Sequence, residues 1–253
     1  WFLEQLMPGL TLYHIPFGML LKGQLNVSVL EESLSRIVER HESLRTKIVT
    51  KDGTAYQEIA SPEEFKLKKE SLGTREDLSE RIKEETGRPF NFDKEILFRG
   101  LLLKINQQEH ALVLTFHHMI SDGWSMSTFF RELEELYGSL VEGKEVVLKD
   151  LPIQYADFSV WQREWLQGEV LDRQLAYWQE KLYEASPISL PSKIRPETQS
   201  FEGRYYEQVL PKAILDKLNA LSRSEGATLF MLLLSVLKGA LSRCANQSDI
   251  VIG

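Results

Sequence analysis

Two adjacent histidines, His117 and His118, end an apolar run from Ala111 to Phe116, and Met119-Ile120-Ser121-Asp122-Gly123 follows directly. A short apolar run reads as a strand, and a strand turns successive side chains to opposite faces. A histidine pair at its end therefore aims one imidazole into a cleft and the other back into the scaffold. Neutral imidazole accepts a proton near neutrality and gives it back. The segment reads as acid/base or positioning machinery on a rigid strand end. Gly123 permits a tight turn, or leaves a backbone amide open where a side chain would block a substrate. That amide, at the start of an expected helix, is placed to stabilise a carbonyl oxygen. Asp122 is expected to point into the scaffold, where a buried carboxylate needs a charged partner.

Other chemistries find little support. The histidine pair is sequential and lacks a cysteine pair, so it does not have zinc-site spacing. No glycine-rich loop reads as a phosphate cradle. A net charge of -7 without a basic stripe argues against a nucleic-acid ligand. The one cysteine, Cys244, rules out an internal disulfide; it is expected to be a buried small residue, which fits a reducing, cytoplasmic setting. The longest apolar run, Leu229 to Leu234, falls far short of the ~20 residues that span a bilayer. No signal peptide is expected, and no membrane partner.

The elements that hold these residues follow from apolar periodicity. At 253 residues, 43% apolar and 26% charged, the chain is long enough for one large or two modest domains with a real core. Strands are expected at 14–21, 97–105 and 111–116, with a hairpin around Lys51-Asp52-Gly53 joining 46–49 to 55–59. A helix is expected at 29–40, with Leu30, Leu34, Ile37, Val38 and His41 on one face. Another runs over 74–85, with Thr74 and Asp77 as its cap. Ser125 is expected to cap a helix from Met126 to about Leu140, and a long helical stretch covers 153–182, broken or bent near Gly168. Pro187, Pro191 and Pro196 mark a linker over 184–204. A strand at 205–210, a helix from Pro211, a helix over 228–244 and a last strand at 250–252 complete the reading. Strands and helices mix without strict alternation, so a mixed α/β sandwich is expected. The abrupt ends suggest a fragment.

His117-His118-Met119-Ile120-Ser121-Asp122-Gly123-Trp124-Ser125 resembles the HHxxxDG signature of condensation domains from nonribosomal peptide synthetases, members of the chloramphenicol acetyltransferase-like superfamily. Three further blocks are similar in the same order. Trp1-Phe2-Leu3-Glu4-Gln5-Leu6 is similar to the second half of the first condensation motif. Arg40-His41-Glu42-Ser43-Leu44-Arg45-Thr46 resembles RHxxLRT, and Tyr155 to Arg163 matches YxDFxxWxR. The resemblance implies a nearly complete N-terminal subdomain over 1–183, the linker over 184–204, and part of a C-terminal subdomain over 205–253. It implies peptide-bond formation between two carrier-bound thioesters, with His118 facing the reacting atoms as base or positioning group and His117 orienting the loop. It gives Asp122 an arginine partner, expected to be Arg45. Trp124 is expected to pack. Tyr155, Asp157, Trp161 and Arg163 are expected to brace the subdomain. No cofactor is expected to bind directly; phosphopantetheine arms arrive on donor and acceptor carrier proteins, beside an adenylation domain. The chain alone is expected to turn over poorly.

Trp124-Ser125 after the glycine looks like the subtype joining an L-configured donor to an L-configured acceptor. An epimerization domain, a non-catalytic carrier-docking module and an acyltransferase using free coenzyme A are the competing readings.

Overall fold

The computed structural model describes residues 1–72, 75, 77–146, 148–190 and 206–252. In chain order the elements are α1 (Phe2–Leu6), β1 (His14–Lys22), α2 (Val27–Arg40), β2 (Thr46–Lys51), β3 (Thr54–Ile59), β4 (Leu67–Ser71), α3 (Asp77–Thr86), β5 (Phe98–Lys104), β6 (Glu109–His117), α4 (Gly123–Val141), α5 (Tyr155–Trp165), α6 (Gly168–Leu182), α7 (Lys212–Ser224) and α8 (Leu229–Ala245). They divide into two compact units, Trp1–Trp165 and Leu166–Gly253. The first unit closes before residue 183, where the sequence reading ends its first subdomain.

The first unit is built on a four-stranded sheet of order β1-β6-β5-β4. β6 is antiparallel to β1 and to β5, and β4 joins β5 in parallel. Both faces of β5 and β6 are covered, which explains their unbroken apolar runs. Phe98, Leu102, Leu112, Leu114 and Phe116 pack under Leu30, Leu34, Ile37 and Val38 of α2 and under Met126, Phe129, Leu133 and Leu136 of α4. Leu101, Leu103, Ala111 and Val113 face the other way, against Leu78 and Ile82 of α3. Phe98 stacks on Phe116 with ring centroids 4.6 Å apart, and Phe129 meets Phe116 edge-on at 5.1 Å. The expected mixed α/β sandwich is this sheet with helices on both faces.

β2 and β3 form the expected hairpin, and its two-residue turn puts both Asp52 (φ 51°) and Gly53 (φ 74°) in the left-handed region. α2 starts two residues earlier than expected because the Asn26 side chain accepts the Val29 N–H at 3.2 Å. α4 also starts earlier. Its N-cap is Asp122, not Ser125, and Ser125 is the third helical residue of a reciprocal capping box. The Thr74 half of the cap expected on α3 lies outside the described residues.

In the second unit the expected long helix is interrupted at Leu166 and Gln167, and Gly168 takes a positive φ of 52°. α8 is capped by Thr228, whose side chain accepts the Met231 N–H, and ends at Asn246 in the left-handed conformation. Among the described residues the strands expected at 205–210 and 250–252 are not seen. Residues 206–210 and 250–252 carry no ladder, and an extended segment without a partner is not a sheet strand. Tyr205 and most of the expected linker, 191–204, lie outside the described residues. Cys244 is exposed rather than buried, because no residue of α8 is buried among those described. Among the described residues no single helix is long and apolar enough to cross a membrane; α7 and α8 reach that composition only as a pair bent by 102°.

Candidate active site

The end of β6 separates the two histidines. His117 is the last ladder residue, paired across the sheet with His14, and it is 4% exposed. Its backbone N–H donates to Leu97 O at 2.9 Å. The Met119 N–H donates to His117 Nδ1 at 3.1 Å, which leaves the ring proton on Nε2. Phe92 packs edge-on to the ring at 4.9 Å, and Phe90 at 6.1 Å. Burial, with His14 nearby, pushes the His117 imidazole down to about 4. It is a neutral ring at ordinary pH. His14 is held low by burial as well, although its Nδ1–H donates to Thr86 O at 2.8 Å.

His118, one residue on, lies outside the ladder and is exposed. Its backbone N–H donates to Tyr13 O at 2.8 Å, so the main chain is fixed while the ring is open. Two hollows meet at this residue. One, of about 360 Å³, is walled by Trp1, Leu3, Glu4, Tyr13, Phe92 and His117. The other, of about 290 Å³, is walled by Ser43, Ile120, Ser121, Asp122, Ser125 and Tyr155. Met119 and His118 line both. The second hollow adjoins a groove of about 320 Å³ beside the hairpin and α5, lined by Tyr56, Gln57, Ser159, Gln162 and Arg163 and sharing Ser43, Ile120 and Tyr155. A larger cleft of about 380 Å³ lies elsewhere, against Arg88, Arg99 and Glu85, and includes neither histidine. Its charges pair among themselves: Glu85 meets Arg88 at 3.4 Å and Arg99 at 3.7 Å.

Asp122 does not pair with Arg45. Its side chain is exposed, and Oδ1 accepts the Ser125 N–H at 2.9 Å and the Ser125 hydroxyl at 2.7 Å. These bonds hold its carboxyl below the usual aspartate range. The carboxylate has donors at the helix start and needs no buried cation. Arg45 instead donates to Ala60 O at 2.8 Å and reaches Glu42 at 3.5 Å. The buried carboxylate that the sequence reading missed is Glu132 on α4. It takes the His41 Nε2–H at 2.7 Å and Arg40 Nε at 3.4 Å. The RHxxLRT block is thus tied to the helix that follows Asp122, through its first two residues rather than its second arginine. The signal in the sequence is a lone Glu on the apolar face formed by Phe129, Leu133 and Leu136.

Gly123 is the first residue of α4 with an ordinary negative φ, so the tight-turn expectation is not met. A Cβ there would meet nothing within 4 Å. Trp124, expected to pack, is 88% exposed. In α5, the Asp157 carboxylate accepts the Gln154 N–H at 2.8 Å at the helix start. Gln154 in turn donates to Arg40 O at 2.9 Å and accepts the Glu42 N–H at 3.2 Å. Ser159 bonds Gln57 of the hairpin at 3.3 Å. Trp161 stacks on Trp165 at 5.5 Å. These contacts brace α5 against the end of α2 and the hairpin. Tyr155 also faces the His118 hollow. Among the described residues no three His, Cys, Asp or Glu side chains converge in a way that could hold a metal ion.

An open imidazole on a fixed strand end, between two hollows, is a place where two substrates can be brought to one proton acceptor. The known proteins this chain resembles bear on that geometry. It is 38% identical to part of malpinin synthetase of Mortierella alpina, over all of this chain and 3% of that protein. It is 40% identical to part of bacitracin synthase 3 of Bacillus licheniformis, over 99% of this chain and 4% of that one. The chain therefore spans a few per cent of these relatives, and about half the length of the solved structures it resembles. The X-domain from teicoplanin biosynthesis superposes with a TM-score of 0.80 at 28% identity, covering 92% of this chain and 53% of that one. The first condensation domain of the CDA synthetase has a TM-score of 0.77 at 20% identity over 99% and 61%, a likeness of fold. The family model described as Condensation domain matches residues 1–253, and the chain belongs to that family.

Proposed function

We propose that this chain joins a carrier-bound donor acyl or peptidyl group to the α-amino group of a carrier-bound acceptor amino acid. The observation that carries the reading is the meeting of two hollows at the exposed His118. The amine nitrogen attacks the thioester carbonyl carbon and forms the C–N bond. The carbonyl π electrons move to oxygen, and their return breaks the C–S bond. The amine proton passes to His118 Nε2 or Nδ1 and on to the departing thiolate. A neutral amine and a thioester are already reactive, so orientation supplies most of the acceleration. His117 fixes the loop and Gly123 keeps the start of α4 unobstructed. Asp122 holds the first turn of α4 in place.

The partners in this reading are donor and acceptor carrier proteins, each delivering its thioester on a phosphopantetheine arm, with an adenylation domain adjacent in a cytoplasmic synthetase. Residues 184–204 link the two condensation subdomains, and the substrates are both L-configured. The test uses the synthetase that carries this sequence, with two carriers loaded with different aminoacyl groups. Dipeptidyl thioester should form, and His118→Ala should lower its rate by roughly 10²- to 10⁴-fold. Inversion at the α-carbon without a new amide, or carrier binding with neither product, would overturn the reading.

A further inference from the structure

The two hollows that meet at His118 differ in chemistry. The one beside α1 is walled mainly by Trp1, Leu3, Tyr13, Phe92 and Met119. The Tyr13 ring centroid is 6.3 Å from that of His117, and Phe92 meets the same imidazole edge-on at 4.9 Å, so both rings stand at this wall. Leu3 is 42% exposed and Tyr13 38%, so an entering group can touch both. Glu4 is the only carboxylate on this wall among the described residues, and its Oε1 is taken by the Gly9 N–H at 2.8 Å. The hollow on the other side of His118 is polar by contrast, lined by Ser43, Asp122, Ser125 and Tyr155.

An apolar recess open to water is an unfavourable surface until something apolar covers it. At about 360 Å³ this one sits near the lower end of ligand pockets, which run from about 300 to 1,000 Å³. A carrier-bound substrate offers two groups to fill it. The pantetheine arm carries amides, and walls of this kind leave amide groups without partners. An aminoacyl side chain makes no such demand. The α-carbon is one bond from the reacting carbonyl of a donor, and one bond from the amine of an acceptor. A group reacting at His118 therefore holds its side chain beside that residue.

We propose that the hollow beside α1 is a side-chain pocket, and that one of the two residues joined at His118 carries a large apolar or aromatic side chain. This rests on the condensation reading above and names its substrate class. Full burial of a leucine or phenylalanine side chain favours it over an equally reactive polar one by roughly 10- to 100-fold, and an open hollow gives the lower figure. An acidic side chain is disfavoured twice, by desolvation and by the like charge of Glu4.

The experiment uses the synthetase that carries this sequence, with chemically loaded carriers. One series varies the donor among leucine, phenylalanine, serine and aspartate against a fixed acceptor, and the other varies the acceptor against a fixed donor. In at least one series kcat/KM for leucine or phenylalanine should exceed that for serine roughly 10-fold, with aspartate lowest. Leu3→Lys and Tyr13→Ser should each cut that ratio to about threefold or less. A ratio of two substrates on one variant does not depend on how much of the variant is folded, so a folding defect cannot imitate the result. Equal kcat/KM for all four residues in both series overturns the proposal. So does a ratio unchanged in the two variants, which is the outcome if the pantetheine arm fills the hollow. Absence of dipeptidyl thioester from wild type with every pair overturns the condensation reading itself.

Discussion

Charging His117 should unfold the site from within as pH falls. The ring is 4% exposed and titrates at about 4 in the folded chain, against 6.5 for a free imidazole. A folded value below the unfolded one means that the unfolded chain takes up the proton first. The stability contributed by neutral His117 is therefore complete above about pH 6.5 and lost as pH falls toward 4. At about 1.36 kcal/mol per pH unit the whole effect is about 3 kcal/mol, with about 1 kcal/mol gone by pH 5.5 and nearly all by pH 4. Carboxylates titrate in the same range, so the measurement must be a difference. Urea unfolding of wild type and His117→Asn, at half-unit steps from pH 7.5 to 4, supplies it. Asparagine can still accept the Met119 N–H through Oδ1 and cannot be charged. Wild type should lose about 3 kcal/mol more than His117→Asn across that range. Parallel pH profiles for the two would refute the assignment of a sealed, neutral His117.

Glu132→Ala leaves Arg40 and His41 half-buried without their carboxylate; it should cost about 3 kcal/mol, read as a Tm lower by roughly 6–12 °C. Asp122→Ala should cost only about 1 kcal/mol, the loss of one exposed helix cap, while Asp122→Asn should keep most of it in a urea titration. Glu70 is held at about 2 by its hydrogen bonds to Arg81 and Lys68; its pairing should be complete above pH 4.5 and fade as pH falls toward 2, so Glu70→Gln should flatten the acid limb of the stability curve by about 1 kcal/mol or less. Gly123→Ala should leave urea stability within about 1 kcal/mol of wild type, because the added methyl meets nothing; a fall in dipeptide formation by that variant would then report on substrate approach alone.

Much of this architecture was readable from residue patterns. β1, β5, β6, the hairpin and helices α2 and α4 carry strong apolar periods or turn signals, and each lies within a few residues of its expected place. β4 carries no such signal. Its Lys68, Lys69 and Glu70 are charged, only Leu67 is deeply buried, and its parallel pairing with β5 depends on residues some thirty positions away. That the two neighbouring imidazoles have different surroundings was expected from the sequence, but the cause is the end of the ladder at His117 rather than strand alternation, since both faces of β6 are covered. The partner of Asp122 was not, because the sequence could not show that this carboxylate is spent on its own helix start. Burial failed as a guide at Trp124 and Cys244, where apolar character was taken for packing.

The neighbouring imidazoles also constrain how this segment can change over time. One ring is sealed and the next is open because the ladder ends between them, at the His14–His117 pair. Losing a single residue anywhere between His110 and Phe116 would slide the pair back by one step, drawing the open ring into the aromatic cage of Phe90 and Phe92 and the sealed one into the buried place of Phe116; gaining one would push the sealed ring out to the open position. Side chains along β6 can be replaced while the apolar faces are kept, but the count of residues in it cannot drift. Length variation should accumulate instead in the turn at 105–108, where an added residue leaves both rings where they are.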